Sequence, residues 1–145
     1  MSSIKTGELE KEWALLQNQF DSYEKLSLLI KLANIGLLAA AYFLNNMSVF
    51  VLFLLLIVWI QDAIWKTFQA RIEARLLALE NYLLVNPAQE SCDENAYQFN
   101  RQYQENRPGN LGLILEYLQQ AARPTVAFPH LLLLLMLSIN LLFQV

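Results

Sequence analysis

Charge is scarce in this chain and unevenly placed. Of its 145 residues 16% are charged, against roughly 25% in soluble domains. All ten Lys and Arg fall in 1–31 or 66–123, and the zones 32–61 and 124–145 hold no charged residue at all. A bilayer imposes such segregation, because a charge at its centre costs at least ~2.5 kcal/mol. The single cysteine, Cys92, excludes an internal disulfide, and no CxxC or Cys/His spacing offers a metal framework. Asp93 and Glu94 beside it disfavour a thiolate, so Cys92 does not read as a nucleophile. Gly-rich phosphate loops, GxSxG, HExxH and clustered acid pairs are all missing. Neither an enzymatic activity nor a cofactor is expected on that basis. A net charge of −3 builds no polyanion-binding surface, which argues against a nucleic-acid partner.

Apolar residues fill the uncharged zones. Two runs, 26–44 and 49–60, are joined by the polar tip Asn45-Asn46-Met47-Ser48. With its flanks each run approaches the ~20 residues that a helix needs to cross a bilayer core. So short a connection forces the two helices antiparallel and predicts a transmembrane hairpin. Ahead of the first run stand Glu8, Glu10, Glu12, Asp21 and Glu24, whereas a signal peptide leads with positive charge, so the run is expected to stay in the mature protein. A third run, 126–145, starts between Pro124 and Pro129, and its almost pure Leu stretch 131–137 reads as a third span over 127–145. Tyr42 and Phe43 at one interface and Trp59 and Trp65 at the other fit aromatic belts.

Outside the spans the pattern becomes amphipathic. Over 4–25, Leu9, Trp13, Leu16, Phe20 and Tyr23 recur at steps of four and three, a heptad-like seam on an otherwise polar helix. No Pro or Gly separates Tyr23 from Leu26, so this helix is expected to run straight into the first span. After the second span, 49–65, the stretch 66–85 continues a seam of Trp65, Phe68, Ile72, Leu76, Leu79 and Leu83. Two facing seams predict an antiparallel, coiled-coil-like stalk below the membrane. The connection 86–126 opens on the helix breaker Asn86-Pro87, and Ser91 with Glu94 fits a capping box for a polar helix over 92–106. Asn110 is positioned to cap a helix over 111–122, whose Leu111, Ile114, Leu115 and Leu118 should lie on the stalk or the membrane surface.

The expected fold is an all-α integral membrane protein forming one membrane domain, 1–145. A long antiparallel transmembrane helical hairpin is extended by a cytoplasmic two-helix stalk, short connecting helices follow, and a third transmembrane helix ends the chain. Positive charges are absent from the tip and from everything after Arg123, which places the N-terminus and 61–126 in the cytoplasm and the C-terminus outside.

Three sets of residues stand out as candidate sites. Lys31 and Asp62 sit at equal depth when the hairpin is reflected about its tip, and they could pair at the inner membrane boundary. The plainer reading has Lys31 snorkelling to the headgroups and Asp62 pairing with Lys66 one turn on. Ala33, Gly36 and Ala40 form a stripe of small residues that lets another backbone approach closely. Leu9, Trp13, Leu16 and Phe20, with Phe68, Ile72, Leu76 and Leu79, make the stalk seam. His130, the sole histidine, reads as an interfacial helix-entry residue, and Asn34, Ser138 and Asn140 as donors and acceptors between helices.

Two spans followed by a charged helix, over about 20–85, resemble in topology the two-transmembrane SLATT effector domains of bacterial defence systems. That resemblance implies a pore-forming role, and the third apolar run departs from it. The residues themselves point first to a scaffold, adaptor or regulatory subunit of a bacterial inner (cytoplasmic) membrane, acting through helix–helix contacts. Its expected partners are the lipid bilayer and other membrane or cytoplasmic proteins, or a second copy of itself. A homo-oligomeric pore or effector is the alternative.

Overall fold

In the computed structural model, residues 2–85 and 109–143 are described, and they form an all-α chain of four helices: α1 (Ser2–Phe43), α2 (Val49–Val85), α3 (Asn110–Ala121) and α4 (Pro124–Phe143). Three of these are long and apolar enough to cross a membrane; α3 is a short helix between the second and third spans. All four prolines of the chain stand at or after 87, so no proline interrupts either hairpin arm. The capping pair Ser91/Glu94, the polar helix expected over 92–106 and Cys92 lie outside the described residues.

The hairpin turn follows from its asparagines. Asn45 adopts φ 50, a left-handed conformation that Asn tolerates better than most side chains. Asn46 N–H bonds the Ala41 carbonyl at 3.0 Å and Asn45 N–H the Tyr42 carbonyl at 3.1 Å, the paired bonds of a Schellman stop. Ser48 then accepts from Leu52 N–H and opens α2. The expected cap of α3 is shifted by one residue: Gly109 holds the N-cap position in extended backbone, and Asn110 is already helical. At the other end Pro124 starts α4 at a position where its missing N–H costs nothing. Phe128, pushed out of helical geometry by the proline that follows, interrupts α4 at ψ 130, and the Phe128–Pro129 peptide is cis.

Two apolar clusters organise the packing. Near the turn, Leu38, Ala41, Val51, Leu55, Leu133 and Leu137 draw all three long helices together. At the opposite end of the hairpin, Leu9, Leu16, Ile72, Leu76 and Leu79 pack between α1 and α2 alone, with Trp13, Phe20, Tyr23 and Tyr82 around them. Glu12 and Arg75 are buried in this second region and pair at 3.0 Å, and Trp13 Nε1 donates to Glu80 at 3.0 Å.

Among the seam residues whose side chains are described, one is not where hydrophobicity alone puts it; Leu83 lies outside them. Phe68 is 40% exposed, with the Arg71 guanidinium over its ring, and Gln69 takes the inward position. The alternating steps of four and three run through Trp65, Gln69, Ile72, Leu76 and Leu79, so regular helix geometry selects a polar residue there. Gln69 is accommodated by donating its amide to the Phe20 carbonyl at 3.4 Å.

The apolar face of α3 does not lie on the hairpin. Leu111, Ile114, Leu115 and Leu118 all point away from the bundle. Glu116 on another face of α3 holds it to α2 through Arg71 at 2.8 Å.

Candidate functional site

Between the two apolar clusters lies a polar layer. Ser27 and Asn34 on α1, Asp62 on α2 and His130 on α4 are all buried, and the last three have no exposed surface at all. Their placement follows from the same helical stepping as the seam. Steps of three and four lead from Leu16 through Phe20 and Tyr23 to Ser27 and on to Asn34, and from Leu79 back through Ile72, Gln69 and Trp65 to Asp62. The inner stripe of the hairpin thus changes from apolar to polar where α4 joins it. His130 enters the layer from α4, directly after the interruption at Phe128 and Pro129.

Hydrogen bonds bind the layer into one network. Ser27 Oγ donates to Asp62 Oδ1 at 2.5 Å. His130 Nε2 lies 3.2 Å from Asp62 Oδ2, and Nδ1 lies 2.6 Å from Asn34 Nδ2. Where Asp62 is ionised it can only accept, which assigns the proton of a neutral imidazole to Nε2 and leaves Nδ1 to accept from the Asn34 amide. Trp59 lies nearly parallel to the His130 ring, with centroids 6.4 Å apart and planes 18° from each other. The Asn34 Oδ1 and Trp59 Nε1 atoms are buried and have no partner among the described residues.

Lys31 stands at the edge of the layer. Its Nζ donates to the Thr125 carbonyl at 2.7 Å and lies 3.9 Å from Asp62 Oδ2, with one-fifth of the side chain exposed. Lys66 turns instead to Gln69 Oε1 at 2.7 Å, so the expected Asp62–Lys66 partnership gives way to Ser27, His130 and Lys31. The reason is depth. Asp62 points inward on the seam, where only groups from the facing helices reach it.

The other candidates fall elsewhere. Ala33, Gly36 and Ala40 occupy the outer face of α1, and a Cβ added at Gly36 would meet nothing within 4 Å. Ser138 and Asn140 are half-buried on α4, with Asn140 Oδ1 unpartnered among the described residues. Among the described residues no three His, Cys, Asp or Glu side chains come together as metal ligands.

Reading each span alone missed the convergence of Ser27, Asn34, Asp62 and His130. The available signal was that each long apolar helix carries a polar or ionisable residue on its inner stripe. In lipid such groups need partners, because leaving one unsatisfied costs several kcal/mol. A carboxylate, an imidazole and an amide in this arrangement can hold or exchange a proton. Comparison of the chain with protein-family models, curated proteins and solved structures found no match.

Proposed function

We propose that this multi-pass membrane protein is a scaffold, adaptor or regulatory subunit that presents a rigid two-helix arm from a membrane anchor. The supporting observation is length. At 1.5 Å per residue α1 and α2 extend ~63 Å and ~55 Å, about twice the ~30 Å hydrocarbon core. Roughly half of the hairpin therefore stands outside the lipid, and that half has its own leucine core and buried Glu12–Arg75 pair. A membrane anchor alone has no use for so long a packed extension. Leu15, Leu77 and Leu84 are exposed on it, offering apolar anchors to another protein. Under the positive-inside rule the arm and α3 face the cytoplasm of a bacterial inner membrane, and the hairpin tip lies outside.

The alternative is a homo-oligomeric pore or effector. It draws on the open, small-residue face of Ala33, Gly36 and Ala40, against which a second copy can pack closely. Photo-crosslinkers at Leu77 and Leu84 in cells, paired with conductance of the purified protein in planar bilayers, separate the two. A scaffold gives discrete crosslinks from the arm and a silent bilayer. Reproducible ion conductance without arm crosslinks would replace this reading with the pore.

A further inference from the structure

We propose that Asp62 and His130 form a proton-binding site inside the membrane-spanning bundle, with Asn34 as the side chain that adapts to the bound proton. Asn34 Oδ1 is an acceptor without a partner among the described residues, on a side chain with no exposed surface. Such an atom is costly if the network has only one state. It has a use if the network has two.

With His130 neutral, Nε2–H donates to Asp62 and Nδ1 accepts from Asn34 Nδ2. On the imidazole a second proton can go only to Nδ1, which then becomes a donor facing another donor. A half-turn of the Asn34 amide exchanges its nitrogen for Oδ1 at the same place, and the clash becomes a hydrogen bond. One proton is taken up from water, imidazole becomes imidazolium, and no bond between heavy atoms is made or broken. The new positive charge rests against the Asp62 carboxylate, which Ser27 also holds in place. An asparagine is suited to this role because its amide offers a donor and an acceptor from one planar group.

Lys31 reaches from the site to the edge of a neighbouring polar pocket. Lys31 links Asp62 to the Thr125 carbonyl, and Thr125 forms part of the wall of a polar pocket of about 240 Å³. Among the described residues, the charged groups around the site and this pocket are Glu24 and Lys31 from α1, Asp62, Lys66 and Glu73 from α2, and Arg123 from the corner between α3 and α4. Their signs balance, so no net charge around the site opposes an added proton. This site is independent of the scaffold reading, which rests on the arm outside the bilayer.

The chain contains a single histidine, so ¹⁵N-histidine labelling of this 145-residue chain in nanodiscs observes His130 alone. At neutral pH the nitrogen shifts should show the Nε2–H tautomer. Acidification should convert it to imidazolium, with both ring nitrogens protonated. Asp62→Asn, which removes the stabilising charge, should move that titration toward acid by about one pH unit or more, and Lys31→Met should move it toward base. A histidine that stays neutral throughout, or that shows the Nδ1–H tautomer at neutral pH, overturns the proposal from the unmutated protein alone. A titration that neither substitution moves overturns it as well.

Discussion

Arg75 and Glu12 face each other across the hairpin at 3.0 Å with their side chains only 7% and 6% exposed. A pair so enclosed is far more sensitive to loss of one partner than to loss of both, since the survivor keeps its desolvation cost. Arg75→Met or Glu12→Leu alone is expected to destabilise by about 3–5 kcal/mol, and the double replacement to recover most of that loss. Unfolding in detergent followed by far-UV circular dichroism measures it. Simple addition of the two single effects would show that the pair is not closed to water in solution.

The leucine core of the arm makes a contrast between neighbouring positions. Leu76 is buried between the helices, whereas Leu77 is 53% exposed. Leu76→Ala should cost about 2–5 kcal/mol, and Leu77→Ala should stay within about 0.5 kcal/mol. Equal effects would mean that the two arms do not pack in this register.

Asp62 and Lys31 should not behave as equals. Asp62→Leu strips both Ser27 Oγ and His130 Nε2 of their acceptor, and is expected to cost about 2 kcal/mol or more. Lys31→Met removes a group that is partly exposed and held mainly by the Thr125 carbonyl, so about 1 kcal/mol or less is expected. The double variant should remain as unstable as Asp62→Leu, because the orphaned hydroxyl and imidazole are still there. Recovery to wild-type stability would give the dominant role to the Lys31–Asp62 pair.

Topology is open to direct labelling. In a Cys92→Ala background, Ser48→Cys should react with an impermeant maleimide from the outside only, and Lys11→Cys from the cytoplasmic side only. The reverse pattern would invert the orientation drawn from the positive charges.

Much of the architecture was legible along the chain because lipid and helix geometry both write into local pattern. The uncharged zones mark the spans, the asparagine-rich tip marks the turn, and steps of three and four mark most of the inner stripe. Phe68, exposed on the outside of the seam, shows the limit of counting apolar side chains. Periodicity selects a position on the helix, and at 69 that position holds a glutamine satisfied by a backbone carbonyl.

The polar layer was legible only in part. Steps continued upward from the leucine seam reach Ser27, Asn34 and Asp62, so their common stripe was already present in the order of residues. His130 was different. It lies 68 positions from Asp62 and 96 from Asn34, and no spacing relates residues on separate helices. The sequence by itself determined the helices, their spans and the inward stripe of the hairpin, because backbone periodicity and the cost of charge in lipid are local. Only the tertiary structure decided that α4 docks with its histidine against that stripe, because which helix faces which is settled by packing and by the need of buried polar groups for partners.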